Sequence, residues 1–206
     1  MSRYASRAWR AFRPEAPAPR PVGVARPAAA CRILGLDPGS RRTGYGIIDC
    51  GAGGERHVAS GHIAVGGSSL APRLRAIFDA VAALVEEHRP DEIAIERVFV
   101  HLNPDSALKL GQARGAALCA ALRHGAPAHE YAPRAIKLAV TGYGAAEKAQ
   151  VAQMVMTLLE LPRRPAADAA DALAVALCHA QSRRLALIAP PARAAGGVRI
   201  ARSGGA

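Results

Sequence analysis

The sequence predicts an α/β fold in which helices flank a mixed five-stranded sheet. Three apolar, strand-like segments follow one another with short turns, at residues 32–37, 44–50 and 56–65. After them, helical and strand-like segments alternate up to residue 133, and only helices follow. Strands joined by short turns pair in an antiparallel manner, whereas strands joined through a helix pair in parallel. One sheet with both kinds of pairing therefore accounts for this order of elements.

The helices and the last two strands follow from periodicity and from proline and glycine. Apolar residues recur at helical spacing over 70–90, up to Pro90, and predict the first helix. The run "DEIAIERVFV" at 91–100 predicts the fourth strand. The segment 103–125 predicts a helix, with Pro104 near its start and Gly125 at its end. A short fifth strand is expected at 126–133, then helices at about 133–140, 145–160 and 166–183.

The composition predicts a soluble cytoplasmic protein with one domain of ordinary size. The chain has 206 residues, half of them apolar, and no apolar run approaches the roughly 20 residues of a membrane span. The four cysteines are scattered without a C-x-x-C pair, and the seven histidines show no H-x-x-x-H spacing. Neither a disulfide framework nor a zinc site is therefore expected.

The charge divides the chain into three parts. The net charge is +11, but residues 1–30 and 181–206 carry +5 each, which leaves +1 for the middle. We expect a disordered Arg/Pro/Ala-rich extension at 1–30, a folded domain at 31–185 and a disordered basic tail at 186–206. The extension also has the Arg-rich, acid-poor composition of an organellar transit peptide. Because the middle is nearly neutral, any case for DNA binding depends on where its charges lie.

Four carboxylates stand in unusually apolar surroundings. Asp37 ends the first strand, and Glu96 follows the run Ile-Ala-Ile in the fourth. Asp168 and Asp171 lie three residues apart in the Ala-rich last helix, so they project from one side of it. A buried carboxylate costs several kcal/mol unless a cation compensates it.

The neighbours of the two strand acids are small. Gly35 shares a face of its strand with Asp37, and Ala94 shares one with Glu96, because side chains repeat every two residues. This leaves room for the Ala-rich helix and would gather four carboxylates in one place. Such a cluster favours a hard divalent cation, Mg²⁺ in particular.

Each acid also has a simpler structural explanation. Asp37 could cap the Pro-Gly-Ser turn, and Glu96 could pair with an exposed arginine at the strand end. Asp168 and Asp171 stand where acids complement the helix dipole. The coincidence of four acids at the ends of apolar elements favours the metal cluster.

Four segments carry a family resemblance. They are "ILGLDPGSRRTGYGIID", "IAIERVFVHLNPDSALKLGQARGAAL", "YAPRAIKLAVTGYGAAEKAQVAQMV" and "LPRRPAADAADALAVALCHA". In this order and spacing they resemble the RuvC family, the Holliday junction resolvases or crossover junction endodeoxyribonucleases. The resemblance runs from about residue 33 to residue 180. It implies an RNase H-like fold, a homodimer, and the catalytic acids Asp37, Glu96, Asp168 and Asp171.

The resemblance also implies a mechanism. Two Mg²⁺ ions per subunit, with Mn²⁺ as a substitute, would lie about 4 Å apart among the acids, bridged by Asp37. Cutting would take place as paired symmetric nicks in a four-way junction, leaving 5′-phosphate and 3′-hydroxyl ends. The branch migration proteins RuvA and RuvB are the implied partners.

Predicted DNA contacts lie around these acids. The resemblance assigns Lys137 and Lys148 to DNA and Phe99 to stacking on bases. Once metal neutralises the acids, Lys109 and Arg114 also become available for phosphates. The loop in "TGYGAAEKAQV" precedes a helix whose N–H groups favour an anion. The alternatives are a solvated face for the lysines and ordinary core for Phe99.

The helix at 103–125 presents a surface of small residues, which would suit either a two-fold dimer interface or packing on its own sheet.

Three other interpretations of the whole chain have less support from the sequence. The first hairpin also resembles the phosphate loop of the actin, Hsp70 and sugar-kinase superfamily, but about 150 folded residues leave no room for a second domain. Short RuvX-like nucleases lack the "NPDSALKLGQARG" segment. A DNA-binding module without catalysis would not need all four acids.

Overall fold

The first three strands form an antiparallel meander because short turns join them. The computed structural model describes residues 30–39, 41–66, 69–97 and 104–188. In it, β1 spans Cys31–Pro38, β2 spans Arg42–Gly51 and β3 spans Gly54–Ala64. The register pairs Cys31 with Cys50 and Asp37 with Gly44 across β1 and β2. Asp37 thus lies near the C-terminal end of β1, which is the central strand of the sheet.

Two further strands extend the sheet beyond β1. β4 spans Glu92–Glu96 and lies parallel to β1, and β5 spans Ala128–Tyr131 and lies parallel to β4. The strand order is β3-β2-β1-β4-β5, which confirms the mixed five-stranded sheet. The helices are α1 (Leu70–His88), α2 (Pro104–Ala121), α3 (Pro133–Thr141), α4 (Lys148–Leu158) and α5 (Ala167–Ile188).

The helices cover both faces of the sheet, and strand alternation decides which side chain meets which layer. In β4, Ile93 and Ile95 pack in the core shared with α1 and α2. Ala94, between them, packs in the core shared with α3, α4 and α5. Glu92 and Glu96 share the face of Ala94, because side chains alternate along a strand. This face, covered by α5, is where the predicted acids converge.

The observed boundaries differ from the predicted ones in three places. β4 ends at Glu96, where its neighbours end beside it at Pro38 and Tyr131, and residues 98–100 of the predicted strand lie outside the described residues. The helix predicted over 103–125 ends at Ala121 and continues as a 3-10 turn over Leu122–His124, after which Gly125 adopts a φ of 73°. α5 continues to Ile188, past the end predicted for the last helix at 183, since alanine and leucine favour helix. None of the helices in the described ranges is long and apolar enough to cross a membrane.

Candidate active site

The parallel pairing of β1 with β4 brings Asp37 and Glu96 together. Leu36 pairs with Ile95 at the last position of this ladder, so Asp37 and Glu96, the next residues on the two parallel strands, lie side by side. The side chains of Asp37 and Glu96 share a hydrogen bond. Two acids that are 59 residues apart in sequence are thus direct neighbours.

The helix α5 reaches the same place because the strands below it have no side chains in its path. A Cβ atom on Gly35 would lie 2.2 Å from the Ala172 carbonyl oxygen, and one on Gly44 would lie 2.1 Å from the Asp168 carbonyl oxygen. Both distances are too short for any real contact, so only glycine permits this approach. The expectation that Gly35 makes room for the Ala-rich helix is confirmed, and the first turns of α5 lie above the ends of β1 and β2.

The electrostatics of the site follow from burial and like charge. Burial raises the pKa of the Asp37 carboxyl, and the charges of Asp171 and Asp168 raise it further. Burial, together with the charge of Asp37 and the hydrogen bond to it, raises the pKa of Glu96 to about 7. Lys148 opposes both shifts. Asp37 and Glu96 therefore compete for one proton, which is the behaviour of like charges in a shared site.

The two acids of α5 have cationic partners. The Lys148 Nζ lies 2.6 Å from the Asp171 Oδ2, and this hydrogen bond raises the pKa of Lys148. Arg42 approaches Asp168 at 3.6 Å. The Lys148 side chain is 80% exposed, so its ammonium can exchange one anion for another at little cost in packing. The strand acids differ, because Asp37 and Glu96 face each other.

The donor chemistry of this cluster fits a hard divalent cation. Carboxylate oxygens are the ligands that Mg²⁺ prefers, and a proton shared between Asp37 and Glu96 marks negative charge that a cation would compensate. The four acids are more spread out than a compact single-ion site. The described part of the chain has a compact group of three ligating side chains, whose ligand atoms all lie within 4.8 Å of one another. This group consists of Glu92, His129 and His179 and does not include the four acids.

The predicted DNA contacts occupy different environments. Lys109, exposed on α2, pairs with Asp105 one helical turn away, at 2.5 Å. Lys137 lies in α3, and its carbonyl oxygen accepts a hydrogen bond from the Thr141 hydroxyl at 2.8 Å. Lys148 is the first residue of α4 and contacts an acid of the site directly. Phe99 lies outside the described residues.

Arg114 has a structural role that the sequence did not reveal. Its side chain is only 20% exposed, and its Nη2 lies 2.7 Å from the Glu130 Oε1. Its Nε donates to the Glu96 carbonyl oxygen at 3.5 Å. Arg97 also approaches Glu130, at 3.8 Å. Arg114 thereby ties α2 to the end of β4, where Glu96 stands.

The start of α4 differs from the expected anion site. Glu147 is the N-cap, and its side chain accepts the backbone N–H of Gln150. The Gln150 side chain in turn accepts the Glu147 N–H at 2.8 Å. This capping box satisfies N–H groups that were expected to face a phosphate and puts a carboxylate beside them. The cation at this helix start is the Lys148 side chain.

Comparisons with known proteins agree with this architecture. The model of the family described as crossover junction endodeoxyribonuclease RuvC matches residues 33–179. A relative of that name from Halorhodospira halophila is 57% identical over 159 residues, which cover 77% of this chain and 95% of the relative. Another, from Marinobacter nauticus, is 54% identical over 173 residues, covering 84% and 93%.

Two solved structures of Holliday junction resolvases also resemble this chain. The T. thermophilus RuvC in complex with a Holliday junction substrate matches with a TM-score of 0.71 and 33% identity, over 76% of this chain and 96% of that one. The yeast mitochondrial Holliday junction resolvase Ydc2 matches with a TM-score of 0.58 over 75% of this chain and 81% of that one, at 10% identity, which shows a shared fold alone. The RNase H-like fold is confirmed.

Proposed function

The chain belongs to the RuvC family of crossover junction endodeoxyribonucleases, and we propose that its four acids cut Holliday junctions with the help of two Mg²⁺ ions. The enzyme class follows from the family. The assignment of Asp37, Glu96, Asp168 and Asp171 as the catalytic and metal-binding residues is our proposal, as are the ions, the paired nicks and the product ends.

The contact between Asp37 and Glu96 is the main support for this proposal. A structural role would pair each acid with a cation or with backbone N–H groups, as Arg32 pairs with Asp49 at 2.6 Å elsewhere in the sheet. Asp37 and Glu96 instead hydrogen-bond to each other while burial and like charge raise both pKa values. An arrangement that is unfavourable without a cation is the one expected of ligands that bind one.

The bound ions and the four acids would have separate roles in hydrolysis. Bound ions would supply the positive charge that activates a water molecule and stabilises the leaving 3′ oxygen. Asp37, Glu96, Asp168 and Asp171 would hold these ions through their carboxylate oxygens. Hydrolysis in this geometry leaves a 5′-phosphate and a 3′-hydroxyl.

Lys148 would change partners when the site fills. Without metal, its ammonium lies on Asp171. Once ions neutralise the acids, that attraction weakens and the exposed side chain becomes free to contact a phosphate beside the scissile bond. Lys109, Lys137 and Phe99 complete the proposed DNA contacts, whereas the ion pair of Arg114 with Glu130 favours a positioning role for that residue.

We also propose a homodimer formed through the outer face of α2. Ala113 and Ala117 pack into the core beneath the helix. Among the described residues, none lies within 4 Å of a Cβ position on Gly111 or Gly115, and Leu108, on the same side of the helix, is 61% exposed. A two-fold axis there would place two sites on one junction, which accounts for paired cutting. RuvA and RuvB remain the proposed partners that deliver the junction.

A synthetic four-way junction tests the nuclease proposal. The purified protein with Mg²⁺ should give paired, ligatable nicks, and Asp37→Asn should bind the junction but cut it about a thousandfold more slowly. Loss of a metal ligand removes several kcal/mol of transition-state stabilisation, and each 1.36 kcal/mol is a factor of ten in rate. Asp79→Asn is the matched control, since Asp79 pairs with Arg75 on the surface of α1.

Two results would contradict the proposal. Undiminished cutting by Asp37→Asn would remove this acid from the mechanism. Equal cutting of plain duplex would refute selectivity for the junction.

A further inference from the structure

A second cluster of ligating side chains lies on the same face of the sheet, away from the four acids. Glu92 begins β4, His129 lies in β5 and His179 lies in the second half of α5. Glu92 precedes Glu96 by four residues on one strand, which corresponds to about 13 Å. His179 follows Asp171 by eight residues on one helix, which corresponds to about 12 Å. The cluster is therefore separate from the proposed catalytic site.

The contacts within this cluster are short. The His179 Nε2 lies 2.5 Å from the Glu92 Oε2, and the His179 Nδ1 lies 2.7 Å from the Tyr131 hydroxyl. The other Glu92 oxygen accepts the Arg183 Nε–H at 2.9 Å. The rings of His129 and His179 stack with centroids 4.4 Å apart. One ligand atom from each of Glu92, His129 and His179 lies within 4.8 Å of the others.

A hydrogen-bonded network explains only part of this arrangement. It accounts for His179, which is 3% exposed and has a partner on each ring nitrogen. It does not account for His129, to which the described part of the chain offers a stacking contact and no hydrogen bond. An ion that binds all three side chains gives the His129 ring a partner as well.

The surrounding residues suit such an ion. The His179 Nε2 faces the Glu92 carboxylate, which accepts its hydrogen at 2.5 Å; when an ion takes the place of that hydrogen, the Tyr131 hydroxyl can accept the Nδ1–H. Metal-bound histidines usually donate their second N–H in this way, and the partner fixes the tautomer and the ring orientation. Arg183 holds the Glu92 Oε1, so Oε2, which faces His179, is the oxygen that an ion between the two side chains would bind.

We propose that Glu92, His129 and His179 form a second metal site, which binds Zn²⁺. Two imidazoles and one carboxylate suit zinc, whereas Mg²⁺ prefers oxygen ligands alone. The ion would join β4, β5 and α5, and two of these elements carry Glu96 and Asp171. Its role is therefore to hold the sheet and the last helix together. This inference does not depend on the proposed nuclease function.

Zinc titration of the full chain tests the site. The protein is stripped with a chelator and kept in excess Mg²⁺, so that the four acids are occupied, and Zn²⁺ binding is followed by calorimetry. One Zn²⁺ should bind per chain, and His129→Gln should weaken binding at least tenfold. His124→Gln is the matched control, because His124 also lies near a glutamate, with Glu86 at 2.7 Å, and should leave Zn²⁺ binding unchanged.

Co²⁺ provides an independent readout, since its visible absorption reports nitrogen and oxygen ligation directly. The Co²⁺ band should appear in wild type and in His124→Gln and should be lost in His129→Gln, whose fold is checked by circular dichroism. Equal Zn²⁺ binding by wild type and His129→Gln would overturn the proposal, because the ion would then lie elsewhere, for example on a cysteine. Absence of any zinc binding in the presence of Mg²⁺ would overturn it too.

Discussion

At the scale of single residues, the site depends on two carboxyl groups that face each other. Asp37 and Glu96 each stand where an isolated acid would be unremarkable, at the end of a strand. Burial raises the pKa of both carboxyls, the charge of Asp37 and the hydrogen bond to it raise the pKa of Glu96 further, and the charges of Asp171 and Asp168 raise that of Asp37. The same property makes the metal-free site a source of instability, and that instability can be measured.

The stability of the metal-free protein should fall as pH rises from about 4.5 to about 7. Glu96 has its ordinary value of 4.5 in the unfolded chain and about 7 in the folded one. Between these values the unfolded state loses the proton while the folded state keeps it, so unfolding becomes more favourable. Below 4.5 both states are protonated, and above 7 both are ionised, so the loss is complete there. Urea unfolding in a chelator, followed by circular dichroism, measures it.

Glu96→Gln provides the comparison for this experiment. The neutral amide keeps the size of the side chain and cannot ionise, so the variant should lose less stability between pH 5 and pH 8 than wild type does. Mg²⁺ should stabilise wild type increasingly over the same range, since it binds the ionised form. Parallel stability curves for wild type and variant would show that Glu96 titrates normally.

At the scale of elements, α5 forms the site because small residues let it lie directly on the sheet. Its core positions are largely alanine, and Gly35 and Gly44 lie beneath its backbone. The contact between the α5 backbone and these glycines sets the distance of Asp168 and Asp171 from Asp37 on the strand below. A single added methyl group at this interface should therefore affect both stability and catalysis.

Gly35→Ala should destabilise the protein and displace α5. The new Cβ would lie 2.2 Å from the Ala172 carbonyl oxygen and 2.8 Å from the Ala176 nitrogen. Both are backbone atoms of a helix, so they cannot move aside separately. Overpacking of this kind costs about 1–3 kcal/mol, and a chain of this size loses about 2–4 °C in Tm for each kcal/mol. Thermal unfolding measures the loss.

The control for this variant is Gly51→Ala, at the end of β2, where a Cβ meets nothing within 4 Å. Its Tm and its cutting rate should remain close to those of wild type. If Gly35→Ala kept both properties as well, the close approach of α5 would not be needed to assemble the acids.

Local sequence patterns were enough to predict the helices and strands. Contacts between residues far apart in the sequence could not be predicted in the same way. Asp37 and Glu96 were found because each ends an apolar run, and strand alternation placed Gly35 under α5. Arg114 was expected to face DNA, since nothing in its helix indicates that Glu130, on another strand, would pair with it. The spacing of the histidines argued against zinc for the same reason, because His129 on β5 and His179 on α5 meet only where the last helix packs on the sheet.

At the scale of the whole molecule, the two proposed sites lie at opposite ends of β4, and α2 has an inner and an outer face. The four acids meet where β1 and β4 end, and the proposed zinc site lies where β4 begins. The inner face of α2 packs on the core, while Leu108, Gly111 and Gly115 point outward on one side. If that side joins two subunits, the spacing of the two active sites is fixed by the dimer, and coupled cutting depends on it.

Leu108→Glu should therefore separate the subunits and uncouple the two cuts. A charge buried at the centre of an interface costs several kcal/mol, which raises the dimer dissociation constant about a hundredfold or more. Leu185→Glu is the matched control, because Leu185 on α5 is 64% exposed, close to the 61% of Leu108. Sedimentation should find Leu108→Glu monomeric and the control dimeric, and on a junction with one cleavable strand pair the monomer should give single nicks. Paired cutting by a monomeric Leu108→Glu protein would contradict the two-fold arrangement, and an unchanged dimer would place the interface elsewhere.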